Sequence, residues 1–362
     1  MTSRERYIHS IKGGPIDRFF RTEFGLWTST RELWIKDGYP ADADFREYFD
    51  MDPMEIPAIN SGFSESPYYP RIETQILEET EEYVIEINAN AITTKTFKVR
   101  SDTSMPQFLK FPVTARQDWE RMRQRLNPED APARIGDKCA LTERCSNPDV
   151  PIVVTLCGAF GHPRNLLGDE GLSYIIFDDP GLLHEILENW CELYVELLAK
   201  LTSVIRVDGI VIWEDMCYRN GPLISPRHFR TFMLPRYKQV IQAARAGGVE
   251  CIAVDSDGDV RQMIPIFLEA GVDALMPFEV QAGMDVVKIR EDFGGSFCII
   301  GGINKRALAR DRKSIEDEVN RVVPYFLKSG RYIPSLDHMI PTDVSFDSFR
   351  HYLHCLRQYE RF

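Results

Sequence analysis

Val249-Glu250-Cys251-Ile252-Ala253-Val254-Asp255-Ser256-Asp257-Gly258-Asp259 is the stretch on which the fold turns. Its first half is a short apolar run with β-branched residues, set between Gly248 and Gly258, and it reads as a strand buried on both faces. Its second half places three carboxylates and a glycine where that strand must end. In a parallel α/β protein, ligands bind at the carboxyl ends of the strands. Asp255 and Asp257 point the same way if the backbone stays extended, and neighbouring carboxylates resist ionising together. A cation, a shared proton or a basic partner relieves them. The competing reading is an Asx-type turn that caps a helix starting near Val260.

Outward from this strand the chain repeats the same unit. Strand-like runs at 150–156, 208–213, 251–254, 273–276, 297–300 and 332–334 alternate with helix-like segments at 182–204, 226–246, 260–270, 284–293, 314–329 and 346–359. Glycines at several helix exits, Gly247-Gly248, Gly271, Gly294-Gly295 and Gly330, fit C-terminal caps. Serial βα units imply a parallel sheet, and this many in a row predicts an α/β fold of the closed (β/α)8 barrel type. The N-terminal third differs. Residues 28–37 suit a short helix, and from 74 to 113 the pattern has a period of two, with a turn at 88–90, which predicts an inserted antiparallel β meander. The expected organisation is therefore 1–115, helices and meander packed on the barrel, and 116–362, the barrel itself.

If the barrel closes, one mouth collects residues far apart in the chain: Glu214 and Asp215, Asp255 and Asp257, Glu279, Asn304 with Lys305, and Asp337 with His338. His162 lies in a Gly/Pro loop after an earlier strand and is a candidate for lining the site. Several carboxylates with one imidazole suit a metal, His338 giving nitrogen and Asp257, Asp255 or Glu214 giving oxygen. The competing reading is again structural, since acidic residues at strand ends often cap the next helix. No GxSxG, P-loop, HExxH or GxGxxG motif occurs, which removes the common hydrolase and nucleotide readings.

Composition bounds the rest. The 362 residues are 44% hydrophobic, with no apolar run of membrane-spanning length, and the expected location is the cytoplasm. A net charge of −12 argues against nucleic acid or an anionic membrane as partner. The eight cysteines show neither CxxC nor zinc-finger spacing, so most should be small buried hydrophobes.

At Asp208-Gly209-Ile210-Val211-Ile212-Trp213-Glu214-Asp215, Ser225-Pro226, Asp257-Gly258, Gly301-Gly302-Ile303-Asn304 and the segment from Gly330 through Asp337-His338 to Pro341, the chain resembles the uroporphyrinogen decarboxylase superfamily. That superfamily, built on a (β/α)8 barrel, also contains corrinoid-dependent methyltransferases. True decarboxylases carry an N-terminal Arg-Gln-Ala-Gly-Arg segment that grips the substrate carboxylates. Here Pro15-Ile16-Asp17-Arg18 resembles its opening, but Phe19-Phe20-Arg21-Thr22-Glu23-Phe24 follows, without the arginine pair. The coenzyme M methyltransferases hold zinc with His-x-Cys and a later Cys, where this chain reads Asp255-Ser256-Asp257 and His338. The resemblance implies a methyltransferase that moves a methyl from a small O- or N-methyl substrate to a corrinoid protein. It further implies Zn2+ or another divalent metal on Asp257, His338 and Asp255 or Glu214, with Glu279 or Tyr332 lining the pocket. Tetrapyrrole decarboxylation and a non-catalytic small-molecule binder are the alternatives. The corrinoid would come on a partner, because the chain has no Asp-x-His-x-x-Gly motif. The meander is a candidate homodimer surface.

Overall fold

The computed structural model describes residues 1–62, 65–98 and 105–360. The meander's predicted third strand reaches Val99, which lies outside the described residues. The chain opens with helix α1 (Ser3–Lys12), started by a capping box in which Thr2 and Glu5 exchange hydrogen bonds, and helix α2 (Thr28–Lys36). The meander follows as strands β1 (Gln75–Glu79), β2 (Tyr83–Ile87), β3 (Thr93–Phe97) and β4 (Gln107–Lys110), antiparallel and in that order.

The main body then alternates strand and helix. It comprises β5 (Val153–Cys157), α3 (Gly161–Asp178), α4 (Pro180–Thr202), β6 (Gly209–Trp213), α5 (Leu234–Ala246), β7 (Cys251–Asp255) and α6 (Ile264–Ala270). β8 (Ala274–Met276), α7 (Val286–Phe293), β9 (Cys298–Ile300), α8 (Arg312–Ser329), β10 (Tyr332–Ile333) and α9 (Phe346–Arg357) complete it. The six strands β5 to β10 form one wholly parallel sheet in sequential order. Where eight regular strands were expected, the described residues give six. Between β10 and β5 run irregular N-terminal segments: Leu26 makes a parallel bridge to Ile340, Asp52 N–H donates to the Arg21 carbonyl at 3.0 Å, and Glu55 bridges Ile152 in parallel. The architecture is the (β/α) barrel, with these segments serving in place of regular strands.

Period-two alternation sorts each strand's side chains. Ile210, Ile212, Ile252, Val254, Leu275 and Ile299 face the helices, whereas Val153, Cys251, Ala253, Ala274, Cys298, Ile300 and Ile333 form a separate inner cluster. The inner residues are small, which leaves room at the amino-terminal end for Tyr7, Ile8 and Ile11 of α1 and for Phe20. Helix α1 thus plugs that end. It is pinned by Arg4 to Asp208 (2.7 Å) and Lys12 to Asp273 (2.8 Å), two aspartates that sit just before strands β6 and β8. Burying each of these large apolar side chains contributes roughly 1.5–3 kcal/mol. Asp255 continues the inner register of Cys251 and Ala253 at the opposite, open end. No helix among the described residues is long and apolar enough to cross a membrane.

Candidate functional site

Asp255 ends β7 flanked by Trp213 of β6 and Met276 of β8, its nearest partners in the sheet. Its backbone carbonyl accepts from Glu214 N–H at 2.9 Å, which fixes where the strand stops. The carboxyl group lies in the upper layer of the barrel interior. Burial, then the charges of Asp257 and Asp215, raise its pKa to about 8, with His338 opposing them. Asp255 therefore holds its proton more tightly than an ordinary carboxyl. The chain then turns through Gly258, whose φ of +78° and close approach to the Cys217 carbonyl, 2.5 Å from where a Cβ would sit, exclude other residues.

That turn brings Asp257 to His338, on the loop after β10. Asp257 Oδ2 lies 3.5 Å from His338 Nε2, with both side chains partly exposed at the mouth. The hydrogen bond to Asp257 raises the His338 pKa above its ordinary value, against the effect of burial. Replacing Asp257 by asparagine removes the charge that holds the imidazolium, so the His338 titration midpoint is expected to fall. NMR titration of the imidazole measures it, and an unmoved midpoint would contradict the pairing. Glu279 completes this group. Its Oε2 accepts from Gly258 N–H at 3.0 Å, and burial, then Asp257, raise its pKa. Lys305 stands near enough to Glu279 and His338 to influence both.

Two side chains given no role by the sequence shape the same mouth: Arg164, which the sequence placed there only as part of the run from Cys157, and Phe24. Arg164, from the first turn and a half of α3, donates Nη1 to the Asp215 carbonyl (2.5 Å) and to Asp215 Oδ2 (2.8 Å), and lies over the Trp213 ring. Asp215 has a φ of +45°, unusual for a non-glycine, and Arg164 holds it on both backbone and side chain. Phe24, from the N-terminal segment, lies parallel to the His338 ring, 6.1 Å between centroids. Acid residues stranded at a strand end without a cation could have flagged Arg164; nothing local flags Phe24.

Four predicted site residues are placed elsewhere. Glu214 is fully buried, and its carboxylate accepts the N–H groups of Ala159 (2.9 Å), Phe160 (2.7 Å) and Gly161 (3.1 Å) at the start of α3. It is a helix cap, and so close that a Cβ on Gly158 would stand 2.1 Å from its carboxyl carbon. Tyr332 belongs to the helix-facing cluster, stacked on Phe326 at 4.0 Å, with its hydroxyl donating to the Gly301 carbonyl. His162 is buried within α3, where burial and then Arg134 depress its pKa to about 4. Its predicted Gly/Pro loop is in fact helical, because Pro163 sits in the first turn, where proline costs no hydrogen bond. Asn304 caps the short helix after it, its side-chain oxygen accepting from Arg306 N–H (3.0 Å) and from Gln281 Nε2 (3.2 Å).

The metal expectation meets a similar limit. A zinc site asks for at least three protein ligands converging on one point. Asp257 and His338 come together and Asp255 stands beside them, but among the described residues no group of three or more His, Cys, Asp or Glu is arranged to hold a metal ion. The residues as placed form a buried carboxyl beside an Asp257–His338 contact.

Comparison with known proteins places this geometry. The family model described as uroporphyrinogen decarboxylase (URO-D) matches residues 89–359. A uroporphyrinogen decarboxylase of Chlorobaculum tepidum is 21% identical over 173 residues, 47% of each chain, and one of Chloroherpeton thalassium is 21% identical over 175 residues, also 47% of each. The match thus spans about half the length of these curated relatives. A solved methyltransferase from Methanosarcina mazei shares the fold, with a TM-score of 0.63 and 15% identity over 99% of both chains.

Proposed function

The chain belongs to the uroporphyrinogen decarboxylase family, and on that footing we propose that it is a methyltransferase acting on a small O- or N-methyl substrate, with a corrinoid protein as acceptor. The arrangement that carries this reading is the Asp255 carboxyl at the open end of the barrel, its pKa raised by burial to about 8, beside the Asp257–His338 contact. A corrinoid, brought by its protein, would supply the nucleophile that accepts the methyl group. This chain's residues have the complementary task. As the carbon–heteroatom bond breaks, the heteroatom keeps the electron pair and takes the proton from Asp255, whose carboxylate is then reprotonated from water. Removing that negative charge makes the departing group a better one. His338, whose pKa Asp257 raises, and Glu279 orient the substrate's polar end.

A second observation disfavours tetrapyrrole decarboxylation. The arginines of the N-terminal segment, which would be needed for a polycarboxylate, are already engaged. Arg18 holds Asp52 through both Nη atoms (2.6 and 2.8 Å), and Arg21 pairs with Asp50 and Glu360. The deciding experiment mixes the purified chain with a reduced corrinoid or corrinoid protein and a panel of methoxylated and N-methyl compounds. Substrate-dependent change in the corrinoid absorbance is expected. A porphyrin product from uroporphyrinogen would replace this reading with decarboxylation, and silence in both assays would leave a binder.

A further inference from the structure

The loop that carries His338 is gripped from two sides. On one side Ile303 bridges Leu336 in parallel, Ile303 N–H donates to the Ser335 carbonyl (3.1 Å), and Asp337 N–H donates back to the Ile303 carbonyl (2.9 Å). On the other side the N-terminal segment runs alongside. Ile340 N–H donates to the Gly25 carbonyl (3.0 Å), Leu26 bridges Ile340, and Thr30 Oγ1 donates to the Ile340 carbonyl (2.9 Å). Within this strap one carboxyl group, its pKa raised by burial to about 8, does a specific job. Glu23 Oε2 accepts Leu336 N–H, two residues before His338, and Oε1 accepts the Tyr352 hydroxyl from α9, both at 2.9 Å. The ring of the next residue, Phe24, is parallel to the His338 ring, 5° between planes and 6.1 Å between centroids.

The backbone on one side of the imidazole and the ring face on the other are thus set by consecutive residues that are more than 300 positions away in sequence. We propose that Glu23 and Phe24 are positioning residues for His338, fixing the imidazole where Asp257 can reach it. This rests on the functional reading above for its catalytic consequence, but not for its structural content. A peptide N–H leaves Leu336 only one direction to donate, so losing its acceptor frees the loop to shift. A flat aromatic partner restricts rotation about the His338 side-chain bonds, which an aliphatic residue does not. Besides Tyr352, the titratable groups coupled to Glu23 are Tyr332 and Asp337, the last with its carboxyl engaged by Lys305 N–H and Val280 N–H (3.0 Å each). The segment at which the decarboxylases carry their arginine grip is here given over to holding a histidine.

The test uses the full chain with Glu23→Ala, Glu23→Gln and Phe24→Leu, and His338→Gln to assign the imidazole signal among the seven histidines. In Glu23→Ala and Phe24→Leu the His338 NMR titration midpoint is expected to fall by roughly one unit as the contact with Asp257 loosens. Glu23→Gln, which keeps a side-chain acceptor, should recover part of that shift. With an active substrate in hand, kcat should drop about 10- to 100-fold while KM changes little, as for a misplaced group. If Glu23→Ala does not fold, the glutamine and leucine variants decide. Unchanged midpoints in variants that are folded would overturn the proposal. Should the wild-type chain transfer no methyl group to any corrinoid, the titration arm still answers, so the two failures are separable.

Discussion

Replacing Asp255 by asparagine is expected to lower kcat for methyl transfer by about 100- to 10,000-fold, the span a positioned general acid commands. The substitution keeps size and hydrogen-bonding capacity and removes only the transferable proton. In the wild-type chain, activity should itself decline as pH rises through about 8, where Asp255 ionises. A carboxyl whose pKa is raised by folding binds its proton more tightly in the native state. Its contribution to stability is therefore whole below the unfolded value and is lost as pH climbs from about 4 toward about 8. Asparagine does not titrate, so the variant's thermal midpoint should gain on the wild type between those pH values while its activity is gone. Rates across pH 6 to 9 and a melting series across pH 4 to 8 would check both halves. A kcat within a few-fold of wild type would remove Asp255 from the mechanism.

The second large effect is structural. Glu214→Ala should destabilise the fold by about 3–6 kcal/mol, because three buried N–H groups at the head of α3 lose their acceptor together, at roughly 1–3 kcal/mol each with partial relaxation. Glu214→Gln keeps one acceptor oxygen and should cost less. Denaturant unfolding of the three proteins measures the order. If alanine proved as stable as wild type and only activity fell, Glu214 would return to the chemistry from which its hydrogen bonds now remove it.

That reassignment shows where sequence reasoning ran out. The strand at 251–255 and its neighbours were legible because a parallel sheet writes short apolar runs with glycine exits, and the mouth followed from topology alone. Asp255, Asp257, Glu279 and His338 do converge there. A carboxylate at a strand end, however, reads the same whether it meets a ligand or a helix start, and Glu214 and Asn304 do the second. Tyr332 sits on a two-residue strand, too short for its alternation to be phased from sequence, so its outward direction was hidden. The run from Gly158 to Pro163 looked like a loop because a proline in the first helical turn is indistinguishable, locally, from one that ends a helix. Glu23 and Phe24 carry no local signal at all, since their meaning lies in partners contributed by the far end of the chain.

The α1 plug has a consequence for traffic. With the amino-terminal end of the barrel filled by Tyr7, Ile8 and Ile11, Asp255 is approached from the opposite, open end. On the proposed function, donor, demethylated product and acceptor protein would share that one doorway.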